Sequence, residues 1–143
     1  YADHLRKLAA DLGVADRIVW SGPVPRDALP ETYVSHDIVV FPSIYEEPFG
    51  IVQLEAMAAG CAVVGTGTGG SAEILEPDAN ALLFAAEDAA SLAAQLRRLR
   101  DDPALAVRLG AAGKETVLHR FTGERMVDEI EAHLRDVVGG LAR

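Results

Sequence analysis

The sequence predicts an α/β fold built on a parallel sheet, and three observations carry that reading. Short apolar runs, "RIVWSG", "DIVVFPS", "CAVVGT" and "ALLFAA", alternate with segments of helical periodicity. The runs in "DIVVF" and "CAVV" are continuous rather than alternating, as in strands buried on both faces. Turns rich in glycine or proline follow the strands, at the carboxyl ends where ligands of such sheets sit.

In chain order, "YADHLRKLAADLG" places Leu5, Leu8, Ala9 and Leu12 at helical spacing, and Gly13 suits a left-handed cap. "RIVWSG" is expected as a short strand. "RDALPETYVSH" is expected as a short helix or turn, weakened by Pro30. After the strand "DIVVFPS" comes a helix from about Phe49 to Ala59, closed by Gly60, and then the strand "CAVVGT". "GTGTGGSAEIL" reads as a glycine-rich turn and a short helix, and "ALLFAA" as the last strand. Asp88, Asp102 and Thr122 are expected to cap three further helices, with Pro103 at a first helical position. The stripes Leu92, Leu96, Leu99 and Met126, Ile130, Leu134, Val138 are expected to face the core.

The chain has 143 residues, 50 % hydrophobic and 24 % charged, enough for one globular domain spanning residues 1–143. Its formal net charge of −9 argues against nucleic acid or an anionic membrane surface as the main partner. The single cysteine, Cys61, excludes an internal disulfide and a cysteine zinc cluster, and a reducing, cytoplasmic setting is the simplest home. The longest apolar run, "AMAAGCAVV", is half of the roughly 20 residues that a membrane helix needs. The scattered His4, His119 and His133 do not suggest a metal site.

The segment "SIYEEPFGIVQLEAMAAG" sets a carboxylate, Glu55, among Ile51, Leu54, Ala58 and Ala59. On a helical wheel Glu55 falls between Ile51 and Ala59, with Gln53 nearly opposite, so the helix is apolar almost all round, as a buried helix is. A lone buried carboxylate is costly unless hydrogen bonds or a charge satisfy it. No Lys or Arg occurs from Asp27 to Leu96. A backbone N–H from a facing loop could serve, or a ligand with vicinal hydroxyls such as a ribose. The competing reading is a surface helix with Glu55 solvated.

Glu47 precedes this helix, and Gly50 lies roughly 7.5 Å before Glu55 along the helix axis. The two acids are therefore expected at different depths of one cleft. Between them lie the free amides of Phe49, Gly50 and Ile51, which with the helix dipole suit a phosphate. Gly50 permits close approach, Pro48 removes a donor, and Glu46 is expected to be solvated.

With "VVGTGTGGSAEIL" following, this segment resembles the C-terminal half of the retaining, two-Rossmann GT-B glycosyltransferases of family four. That family carries two glutamates separated by seven residues, matching Glu47 and Glu55, and a Gly-Gly turn with a following glutamate, matching Gly69, Gly70 and Glu73. "RIVWSGPVP", "FPS", "ALLFAAED" and "HRFTGERMVDEIEAHL" follow the family's order, so the resemblance covers essentially the whole chain. It implies a Rossmann-like sheet with flanking helices. It implies that Glu55 binds ribose hydroxyls and that Glu47 contacts the donor sugar near the reacting carbon, as the catalytic position. Phe49, Gly50 and Ile51 would hold the sugar and diphosphate, with Ser43, Gly69 and Gly70 also in the donor site and Val24 bordering the base.

The implied reaction moves a sugar from a nucleotide-diphosphate donor to an acceptor hydroxyl with retention, without metal or other cofactor. The resemblance further implies that an Arg and a Lys for the diphosphate, two strands of the sheet and an acceptor-binding domain lie before Tyr1. The chain alone would then be inactive, and peripheral membrane contact would come only through that other half. The two strands belong between "RIVWS" and "DIVVF", so these either pair directly or leave an exposed edge. Asp78-Ala79 and Ala81 replace the family's usual glycines, and Ala62 replaces a common proline. An epimerase of the same architecture would need acid–base groups beyond these carboxylates, and His36 is expected to cap a turn. A non-catalytic nucleotide-binding module would keep Glu55 and the amides. Ser71 lacks a base partner at a recognisable spacing, so a nucleophile is not expected there.

Overall fold

A computed structural model of the chain describes residues 1–141. The first helix, α1 (Ala2–Asp11), ends before Gly13, which takes φ +66. A 3-10 turn (Arg26–Ala28) leads into α2 (Leu29–Val34), which accommodates Pro30 in its first turn, where no intrahelical donor is lost. Strands β1 (Ile38–Phe41), β2 (Ala62–Gly65) and β3 (Ala81–Leu83) form a parallel sheet in that order. In the register, Val39 faces Val63, and Val64 faces Leu82. Helix α3 (Ile51–Ala58) connects β1 to β2, and a 3-10 turn (Gly69–Glu73) follows β2. Three helices close the chain: α4 (Ala89–Asp101), α5 (Pro103–Arg120) and α6 (Gly123–Leu141).

The core has two parts, one on each face of the sheet. Val63 sends its side chain to the face covered by α3, with Ala56, Met57, Ile74 and Leu75. Its neighbours Ala62 and Val64 join Leu82, Leu99 and Leu109 beneath α4 and α5. This is the alternation of a strand covered on both sides. The expected caps form: Asp88 accepts from the Ser91 N–H at 2.9 Å, Asp102 from that of Leu105 at 3.2 Å, and Thr122 from that of Arg125 at 3.2 Å.

Four expectations are corrected. "RIVWS" is extended at Ile18 but joins no ladder, and Val19 is 92 % exposed. The Trp20 ring instead lies under the Arg6 guanidinium, 5.6 Å from its centroid. "DIVVF" is therefore not buried on both faces: all four residues of β1 are half-buried, because β1 is an edge strand. Helix α3 begins at Ile51 rather than Phe49, and its buried residues are Gln53, Ala56 and Met57, while Ile51 and Val52 are exposed. It is thus covered on one side only. The α6 stripe of Met126, Ile130, Leu134 and Val138 does not face the core; each residue is between 52 % and 66 % exposed. No helix among the described residues is long and apolar enough to cross a membrane.

Candidate functional site

The site is built where β1 and β2 end. The loop after β1 (residues 43–50) is laced to the segment after β2 by three hydrogen bonds, and the first turn of α3 by a fourth. The Thr66 hydroxyl donates to the Ser43 carbonyl and the Thr68 hydroxyl to the Tyr45 carbonyl, both at 2.9 Å. The Gly70 N–H donates to the Glu47 carbonyl at 2.7 Å, and the Gln53 amide to the Ser71 hydroxyl at 2.5 Å. Glu47 is fixed inside this loop, where its carboxylate accepts from the buried Ser43 hydroxyl at 2.9 Å. Glu46, its neighbour, is exposed.

Glycine is required at the crossing points. Gly50, the residue before α3, takes φ +98, and a Cβ there would run into the Gln53 amide. A Cβ on Gly69 would meet the Glu47 backbone, and one on Gly70 the Pro48 carbonyl. The Gly-Gly turn therefore presses directly against the loop that carries Glu47. Gly50, itself buried, adjoins this seam, and the first amides of α3 have no intrahelical partners. Phe49 leans away, its ring 5.8 Å from that of Phe121 in an edge-to-face contact.

Glu55 is half-buried, and its partner is neither a backbone N–H nor a cation: the Tyr33 hydroxyl donates to Glu55 Oε2 at 3.0 Å. Tyr33 lies in α2, and the two residues line a groove of about 460 Å³ between α2 and α3. Leu29, Pro30, Val34, Ala58 and Ala59 make its walls apolar, and Arg26 stands at its rim. Arg26, just before the cation-free stretch of sequence, thus lines the same groove as Glu55, although no ion pair joins the two among the described residues. The Tyr33 phenol is held above its ordinary value of 10.0, first by burial and then by its hydrogen bond to Glu55. It stays protonated and can serve as a donor.

The fold brings Ser43, Glu47, Gly50, Gly69 and Gly70 together in one seam, with Ile51 exposed at the start of α3 and Glu55 a turn further along it. Glu47 does not line the groove that holds Glu55, and Val24, half-buried in the segment before α2, does not line it either. Ser71, dismissed as a nucleophile, is buried as the acceptor of the Gln53 amide. Glu73 is exposed at a turn braced by Arg120, which donates to the Glu73 carbonyl at 3.0 Å. His36 caps its turn, with Nδ1 2.6 Å from the Thr32 carbonyl. No three His, Cys, Asp or Glu side chains cluster as a metal site among the described residues. Sequence reasoning missed Tyr33 and Gln53. Tyr33 is 22 residues from Glu55 and carries no local signal, and the wheel gave Gln53 a position but no partner.

Residues 1–116 match the family model described as "Glycosyl transferases group 1". The chain belongs to this family. Among relatives within the family, it is 36 % identical over 136 residues to a D-inositol 3-phosphate glycosyltransferase of Acidothermus cellulolyticus, covering 95 % of this chain and 30 % of that protein. It is 34 % identical to the GDP-mannose-dependent alpha-(1-6)-phosphatidylinositol monomannoside mannosyltransferase of Mycobacterium tuberculosis, covering 98 % and 37 %. Sucrose-phosphate synthase from Thermosynechococcus elongatus superposes with a TM-score of 0.84 at 32 % identity, covering 97 % of this chain and 35 % of that one. HepE from Anabaena, solved with UDP and glucose, gives 0.87 at 25 %, covering 95 % and 36 %. A structure of the C-terminal domain of a group 1 glycosyl transferase from Francisella tularensis gives 0.79 at 29 %, covering 85 % and 63 %. The Rossmann-like parallel sheet with flanking helices is thus that of a GT-B C-terminal domain. The chain spans about a third of the length of the curated relatives it matches.

Proposed function

We propose that this chain, as one domain over residues 1–143, is the donor-binding part of a glycosyltransferase. The enzyme would move a sugar from a nucleotide-diphosphate donor to an acceptor hydroxyl with retention of configuration. One observation carries the reading: a glycine-headed helix amine terminus stands between two anchored carboxylates, Glu47 on Ser43 and Glu55 on Tyr33. The diphosphate would lie at the amides of Gly50 and Ile51, where helix dipole and unpaired N–H groups favour an anion. Glu55 would take the ribose hydroxyls, and the apolar groove beside it the base, with Val24 at the approach. Glu47, deeper in the loop, would face the sugar near the reacting carbon, with Phe49 at its flank. Ser43, Gly69 and Gly70 would shape that pocket from behind. The nucleotide sugars named in the relatives and neighbours, GDP-mannose and UDP with glucose, support this donor class.

The reading calls for no metal and no other cofactor. The diphosphate's cations and the acceptor site would come from the rest of a longer enzyme, as the one-third coverage of the relatives suggests, so the chain by itself would not turn over. Any peripheral membrane contact would also come from there. A cytoplasmic location belongs to the same reading, from the one reduced thiol, Cys61. The test is thermal stabilisation of the full-length protein by a panel of nucleotide sugars, followed by kinetics of two variants. Glu55→Gln should weaken every donor, whereas Glu47→Gln should chiefly lower kcat. Donor affinity untouched by Glu55→Gln would remove the ribose assignment. Sugar transfer by the isolated chain would remove the claim that it is incomplete as a catalyst.

A further inference from the structure

Building on the reading of Glu55 as the ribose ligand, we infer that Tyr33 is a positioning residue for nucleotide recognition, whose hydroxyl holds the Glu55 carboxylate ready for two vicinal hydroxyls. The 3.0 Å bond joins two elements, α2 and α3, across the groove. Tyr33 can act as an anchor because it is itself fixed at both ends. Its ring packs against the core cluster beneath α3, and its carbonyl accepts from the buried Cys61 thiol at 3.1 Å, tying the end of α2 to the start of β2. Of the other residues lining the groove only Arg26 carries a side-chain donor, and no ion pair joins it to Glu55 among the described residues. Without the phenol, Glu55 would be free to sample its rotamers, and binding would have to bear the cost of ordering it.

The choice of a phenol has a chemical consequence. A guanidinium would neutralise Glu55 and compete with the ligand, whereas a neutral hydroxyl fixes the side chain and leaves its charge available. A carboxylate has about four lone-pair sites. Tyr33 occupies one on Oε2, which leaves both oxygens able to accept one ribose hydroxyl each. Burial and the Glu55 contact both keep the phenol protonated, so the donor persists throughout the neutral range.

The test uses the full-length protein, UDP and GDP, and their 2′,3′-dideoxy analogues, measured by calorimetry for wild type, Tyr33→Phe, Glu55→Gln and the double variant. Tyr33→Phe should weaken the ribonucleotides about three- to tenfold. It should leave the dideoxy analogues unchanged and have no further effect once Glu55 is Gln. Equal weakening of both nucleotide classes would mean a merely structural role and would overturn the inference, as would an unweakened ribonucleotide. If Glu55→Gln itself leaves ribonucleotide affinity intact, the ribose reading fails and takes the inference with it. A ligand-free readout separates the two cases. By NMR, the Tyr33 phenol should titrate at lower pH in Glu55→Gln than in wild type, because the nearby negative charge is gone and a neutral amide oxygen is a weaker acceptor. An unshifted titration would overturn the Tyr33 role even where Glu55 proves to bind ribose.

Discussion

Gln53 and Ser71 meet through a 2.5 Å hydrogen bond in a fully buried seam, the one joining the first turn of α3 to the turn after β2. The bond sits directly beneath Gly50, whose missing side chain leaves room for the Gln53 amide. The start of α3 is therefore braced from inside by a polar pair that touches no solvent.

That pair sets the first prediction. The Gln53 Oε1 already lacks a partner, so Ser71→Ala would leave the amide wholly unpaired in the core. The expected cost is about 1–3 kcal/mol of stability. Adding Gln53→Leu should recover part of it, because both polar partners are then gone. Urea unfolding of the two single variants and the double would show this as a coupling, and strictly additive losses would contradict it.

A second prediction concerns the Gly-Gly turn. Gly70→Ala places a Cβ against the Pro48 carbonyl and 2.8 Å from the Phe49 Cα, which backbone cannot relieve cheaply. The expected loss is about 1–3 kcal/mol. Because the strain falls on the loop carrying Glu47, nucleotide-sugar affinity should fall with it. Unfolding curves and donor titration of the same variant would check both, and an unperturbed variant would mean that the turn and loop do not touch in solution.

The third prediction contrasts two leucines. Leu109 is 0 % exposed beneath the sheet, and Leu109→Ala should cost about 2–5 kcal/mol. Leu134, on the open stripe of α6, should change stability by no more than about 0.5 kcal/mol when replaced by Ala. Thermal unfolding of the chain distinguishes the two, and comparable losses would place α6 in the core after all.

These residues also show what was legible in the sequence. The continuous run of β2 and the capping residues Asp88, Asp102 and Thr122 state their structure locally, and they form as expected. The α6 stripe announced an apolar face but not its partner, because amphipathic periodicity reports only that one side is greasy. Residues 18–21 were legible as extended, yet a strand needs a neighbour, and none is present among the described residues. At the site, the spacing of Glu47, Gly50 and Glu55 was visible because one loop and one helix carry all three. Tyr33 was not, because its contact with Glu55 depends on how α2 crosses α3. The wheel placed Gln53 nearly opposite Glu55 but could not show its partner, the Ser71 hydroxyl, which comes from the turn after β2.

The fourth prediction concerns alkaline pH. Burial is the first cause that raises both the Tyr33 phenol above 10.0 and the Cys61 thiol above 9.0. A group whose pKa rises on folding contributes stability that is complete below its unfolded value. That contribution is lost as pH climbs through the folded value. Stability owed to Cys61 should therefore begin to fall above about pH 9, and that owed to Tyr33 above about pH 10. Denaturant unfolding of wild type against Cys61→Ala and Tyr33→Phe isolates each share. A gap between wild type and either variant that widens in favour of wild type as pH rises would have the wrong sign.

The claim on which the functional account depends is that Glu55 recognises the paired hydroxyls of a donor's ribose. The most direct measurement is the affinity of the full-length protein for UDP or GDP against the 2′,3′-dideoxy form, in wild type and in Glu55→Gln. The account predicts that wild type prefers the ribose form by about tenfold or more and that Glu55→Gln abolishes the preference. A preference that survives the substitution, or a wild type that never discriminates, would contradict it.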